Sequence, residues 1–170
     1  MFQLRSNIFE TNSSSIHTFC VSKEHRDYSY LKGKKVYIAT GEYGWYGSCS
    51  DALSYLYTAL QYDEDKVMEL DKKLREIGVI PIYSNGCLEH GEYNEDDVTG
   101  YVDHLDCFYE IWDELVKNND IFMNFIFGPD TAIYLSTDNS DVMIDKDEYN
   151  FPLTQYRKNE GKYVYYEKGN

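Results

Sequence analysis

Two short cysteine–histidine motifs place the strongest constraint on what this chain can fold into. Cys87-Leu-Glu-His90 is followed by thirteen residues and then by His104-Leu-Asp-Cys107. Zinc takes thiolate sulfur and imidazole nitrogen in tetrahedral sets of four, commonly as two close pairs about a dozen residues apart. Cys87, His90, His104 and Cys107 are therefore the expected ligands of one structural zinc ion, tying a loop at 84–97 to the helix after it. Gly86 and Gly91 permit the tight backbone that such a metal knuckle needs. A third pair, His17 and Cys20, is weaker, because on a strand those two side chains point to opposite faces.

The helix expected from Val98 to Lys117 divides into three surfaces at 100° per residue. Val102, Leu105, Tyr109, Trp112 and Val116 form its core stripe. Asp103, Asp106, Glu110, Asp113 and Glu114 gather opposite, and His104, Cys107 and Ile111 lie between. Upstream, Phe2–Glu10 and Ile16–Val21 suggest a hairpin across a polar turn, and Val36–Ala39 a further strand. Ser50 is placed to cap a helix over 51–61 with Leu53, Leu56, Tyr57 and Leu60 on one face. A second helix begins at Asp63, carries Val67, Leu70, Leu74 and Ile77, and stops at Gly78. Val79–Tyr83 is a short strand. Ile121–Phe127 and Thr131–Ser136 read as a hairpin about Gly128-Pro129-Asp130, and Lys162–Glu167 as the last strand. At 170 residues the chain can bury a core without disulfides. The expected fold is one α+β domain over 1–170: a mostly antiparallel sheet packed with about three helices, the zinc knuckle next to the last.

Thirty acidic residues against sixteen basic ones give a net charge of −14. Phosphate contacts need Lys and Arg, so direct nucleic-acid binding is excluded as a leading function, and the natural partners are basic protein surfaces. From Glu76 to Val116 there are eleven Asp and Glu and no Lys or Arg. Asp96, Asp97, Asp103, Asp106, Glu110, Asp113 and Glu114 are the candidate partner-binding residues, offering carboxylates to a cationic groove in place of DNA phosphates. A plainly solvated acidic face is the alternative. No apolar run is long enough to cross a membrane and no export signal opens the chain, so a soluble cytoplasmic protein is expected, its cysteines thiols or ligands.

No catalytic residues are assigned. Ser13, Ser14 or Ser15 with His17 as base lacks an orienting third group, and runs of Asn and Ser are ordinary turn chemistry. The glycines of 41–47 do not match a phosphate-binding loop, and the acidic residues of 138–148 lack the order of a calcium loop.

Residues Asn7 to His17 read Asn-Ile-Phe-Glu-Thr-Asn-Ser-Ser-Ser-Ile-His. This opening resembles an N-[IV]-F-E-T-N-S-S-S-x-H signature of poorly characterised phage and prophage proteins in low-GC bacteria. The resemblance covers about a tenth of the chain and implies phage origin and, by analogy, action against host machinery. The function expected is an acidic zinc-binding inhibitor, of the anti-CRISPR type, that binds a host nucleic-acid enzyme such as a CRISPR effector nuclease and blocks nucleic acid loading. The alternatives are a zinc-dependent hydrolase or nuclease, with Glu89 or Asp103 as base and an open metal position, and a structural or regulatory phage protein.

Overall fold

A computed structural model describes residues 16–43, 51–84, 86–102, 105–136, 141–145 and 161–169, without the side chains at 42–43, 101, 106–107, 134–136 and 141–145. In chain order the elements are β1 (Ile16–Ser22), β2 (Lys35–Ile38), β3 (Glu42–Tyr43), α1 (Ala52–Leu60), α2 (Glu64–Glu76), β4 (Ile80–Tyr83), β5 (Leu88–Glu89) and β6 (Glu92–Tyr93). Then follow β7 (Tyr101–Val102), α3 (Leu105–Leu115), α4 (Asn119–Phe127), β8 (Thr131–Ser136), β9 (Asp141–Asp145) and β10 (Tyr163–Gly169), with 3₁₀ turns at Ser29–Leu31 and Glu95–Asp97. The fold is α+β with four α-helices among the described residues, one more than expected. None of them is long and apolar enough to cross a membrane.

The main sheet is antiparallel in the order β10-β1-β8-β9. Strand β1 lies between β10 and β8, with Cys20 beside both Tyr165 and Ala132. Both its edges are taken; Phe2–Glu10, expected to form a hairpin with it, lies outside the described residues. On one face Phe19 meets Tyr55 of α1, Phe108 of α3 and Phe125 of α4 at ring separations of 5.5, 6.2 and 5.0 Å. Cys20, Ala132, Tyr163 and Tyr165 cluster on the other face.

Helix α1 is buried on every side. It was expected to be one-sided, but it stands between the main sheet and the smaller β2–β4 pair, so no face is left for solvent. Its cap is Asp51, whose carboxylate accepts from Ser54 N–H at 2.8 Å, and not Ser50. Helix α2 follows its sequence signals closely. Asp63 caps it, Glu64 and Asp65 occupy the positive end of its dipole, and Lys73 and Arg75 the negative end.

Residues 119–127 form a helix, not a strand. Asn118 accepts from the N–H groups of Asp120 and Ile121, and six consecutive residues from Ile121 to Ile126 are buried. A short apolar run with no polar face has no period by which to tell a buried strand from a buried helix. Asn124, buried within it, donates to the carbonyls of Ser22 and Glu24 at 2.8 Å and locks the exit of β1 onto α4.

Helix α3 begins at Leu105 rather than Val98, because β7 pairs with β3 and Gly100 passes against the carbonyl of Gly41. Its buried stripe is Phe108, Ile111, Trp112 and Leu115. That is roughly a quarter turn from the expected stripe of Leu105, Tyr109, Trp112 and Val116. Ile111, expected on a flank, lies in the core, and Trp112 Nε1 donates to Glu69 of α2 at 3.1 Å.

Candidate functional site

The segment 86–100 is fastened to the C-terminal half of α1. Leu88 N–H donates to the Tyr57 hydroxyl at 3.2 Å, and Tyr93 O–H donates to the Gln61 carbonyl at 2.8 Å. The Gln61 side chain pairs with the Thr99 backbone in both directions, its oxygen accepting from Thr99 N–H at 2.9 Å. Tyr62 O–H donates to the Gly100 carbonyl. This clamp, built from residues whose spacing carries no motif, is what the sequence pattern missed.

Within the clamp, Cys87-Leu-Glu-His90 is half of a tight hairpin. Leu88 pairs with Tyr93 and Glu89 with Glu92, leaving a two-residue turn at His90 (φ 54°) and Gly91 (φ 83°). Positive φ at both positions is the type I′ turn that matches strand twist. Cys87 is fully buried, its Sγ 3.6 Å from the Tyr57 hydroxyl and 3.8 Å from the Gln61 carbonyl. Burial pushes its thiol pKa up, against the thiolate that a metal requires. His90 is exposed at the turn. The two residues therefore lie in different environments, one in the core and one at the surface. His104 lies outside the described residues, as does the side chain of Cys107. Among the described residues no three His, Cys, Asp or Glu are grouped to hold a metal ion.

His17 and Cys20 lie on opposite faces of β1, as strand geometry requires. His17 Nδ1 is 2.9 Å from the Tyr55 hydroxyl on the helix-covered face. Cys20 is on the far face, where burial pushes its thiol up to about 12. Ser13, Ser14 and Ser15 lie outside the described residues.

The acidic residues divide by whether a cation answers them. On α3, Glu110 pairs with Lys168 of β10 at 2.5 Å, Asp113 with Lys66 of α2 at 3.5 Å and Glu114 with Lys117 at 2.5 Å. Asp103 and the side chain of Asp106 lie outside the described residues. From the hairpin to the 3₁₀ turn, Glu89, Glu92, Glu95, Asp96 and Asp97 are exposed and form no ion pair among the described residues. Asn94 organises that turn, accepting from Asp96 N–H and donating to the Asp97 carboxylate at 2.7 Å.

A cleft of about 320 Å³ separates β4 from the hairpin, lined in part by Arg75, Tyr83, Glu89 and His90. At its wall the buried Asp71 carboxylate accepts from Arg75 Nε at 2.7 Å and from Tyr83 O–H at 2.8 Å. Burial raises the Tyr83 pKa, and the adjacent Asp71 charge raises it further. The i, i+4 spacing of Asp71 and Arg75 was the one sequence signal for this network. No family model, curated protein or solved structure matches the chain.

Proposed function

We propose that this protein is an acidic inhibitor of the phage type that its opening resembles. It occupies the cationic nucleic-acid groove of a host enzyme, a CRISPR effector nuclease being the leading target, and blocks nucleic acid loading. The observation that carries this reading is the row of unanswered carboxylates at Glu89, Glu92, Glu95, Asp96 and Asp97. Carboxylates without internal cations keep their field for a partner, and complementary potential speeds association and sets specificity. Glu110, Asp113 and Glu114 belong to the same surface reading with less weight, because each already has a lysine. Exposed pairs of this kind are weak and can be exchanged for a partner's cations.

The test is a binding and loading assay with a CRISPR effector nuclease. Reversal of Glu95 and Asp96 to Lys should weaken binding at least about tenfold and restore nucleic acid loading. Binding that ignores both the reversal and added salt would sink charge mimicry.

Zinc at Cys87, His90, His104 and Cys107 is a separate proposal, supported by the spacing of the two pairs. It requires Cys87 to ionise and turn away from Tyr57 and Gln61. Elemental analysis of the purified chain decides it: one zinc per chain, lost in Cys87→Ser and His104→Ala, supports the site, and metal-free protein removes it.

A further inference from the structure

β2 and β4 form a two-stranded parallel pair in which Lys35 stands beside Ile80 and Tyr37 beside Ile82. Of their inward positions Ile38 and Pro81 are buried and Val36 and Tyr83 half-buried. Of their outward positions Tyr37 is 69% and Ile80 41% exposed. Parallel strands are ordinarily covered on both faces.

The two ends of this uncovered strip carry opposite charge. At the start of the strands Lys34 and Lys35 are exposed and form no ion pair among the described residues. Beyond Ile82, across the cleft, stands the hairpin with Glu89. Glu89 and Glu92 face each other across its strands and form no ion pair among the described residues, the nearby Arg75 being held by Asp71, and like charges so placed disfavour the hairpin. The strip therefore runs from cation through apolar middle to anion. The four-residue strands themselves span about 13 Å. A surface of that polarity is complementary to itself after a half-turn about an axis through its middle.

We propose that the outer face of the β2–β4 pair is a two-fold interface with a second copy of this chain. Tyr37 and Ile82 of each copy meet at the centre, and Lys34 and Lys35 of each copy answer Glu89 and Glu92 of the other. A net charge of −14 repels a second copy, and the strip's own lysines offset that repulsion in this orientation. The interface shares Glu89 and Glu92 with the proposed inhibitor surface and leaves the 3₁₀ turn at Glu95–Asp97 to that partner.

Sedimentation equilibrium of the full chain up to about 100 μM, the weak end for a small interface, tests it. A concentration-dependent dimer is expected. Tyr37→Ser, at an exposed position where the circular dichroism spectrum should stay unchanged, should weaken it about tenfold or more. Lys34→Glu with Lys35→Glu should weaken it similarly, as should Glu89→Lys with Glu92→Lys, and all four reversals together should restore it. A chain monomeric throughout that range overturns the proposal, even if another protein binds the Tyr37 face. So does a dimer indifferent to Tyr37→Ser, or a four-fold reversal that fails to rescue.

Discussion

Gly86→Ala tests whether the 86–100 segment really seats on Tyr57, because the expected sign is opposite to that of an ordinary Gly→Ala change. Gly86 has no positive φ, so alanine meets no backbone penalty there. In open space the change would stabilise by about 0.4–1 kcal/mol through the unfolded chain. Here the added Cβ would lie 2.5 Å from Tyr57 Cε1 and 2.6 Å from Cζ, and against the hydroxyl. Tyr57 has no room to retreat: it is fully buried, with the Tyr83 ring at 5.0 Å. Overpacking of this kind costs about 1–3 kcal/mol. If the hydroxyl shifts and leaves Leu88 N–H without its acceptor, a further 1–3 kcal/mol or so is lost. The expected net loss is about 2–5 kcal/mol by urea unfolding, with an unchanged m-value. In a Tyr57→Phe background the hydroxyl clash is gone while the ring contact remains, so the added cost of Gly86→Ala should shrink without vanishing. A neutral or stabilising Gly86→Ala would refute the seating of this segment.

Three further outcomes are expected. Asn118→Ala removes the acceptor for two N–H groups at the start of α4 and should cost about 1 kcal/mol by thermal or urea unfolding. Asp71→Ala leaves Tyr83 and Arg75 without their shared carboxylate and should cost about 1–3 kcal/mol, more than Arg75→Ala, whose side chain is half exposed. Burial raises the Cys20 thiol from its ordinary 9.0 to about 12. The unfolded chain therefore releases this proton first, and stability should fall as pH rises from about 9 toward 12. Urea unfolding at about pH 8 and pH 10.5 should show a smaller alkaline loss in Cys20→Ala than in the unaltered chain.

How far the fold was legible depended on whether a segment's own residues decided its state. Helix α2 was legible throughout, since cap, dipole charges, apolar stripe and terminal glycine all lie within its own sequence. Strand β1 was legible as a strand, including the opposed faces of His17 and Cys20. Its neighbours were not, because pairing with β8 and β10 joins residues more than a hundred positions apart and no local pattern encodes that. Helix α4 failed for a different reason: burial on all sides erased the polar face that would have revealed its period.

The cysteine–histidine stretch shows the same limit at the candidate site. Cys87-x-x-His90 has a ligand spacing, but the same six residues, Leu88 to Tyr93, also satisfy a two-residue hairpin with glycine at its second turn position. Spacing alone does not say which side of that hairpin each side chain takes. That choice rests on Tyr57 and Gln61, which lie more than twenty residues upstream and draw Cys87 inward. The acidic character of the segment was legible from composition. The division into paired carboxylates on α3 and carboxylates from Glu89 to Asp97 without an ion pair among the described residues was not. It follows from where Lys66 and Lys168 are carried by α2 and β10, and so from the tertiary fold.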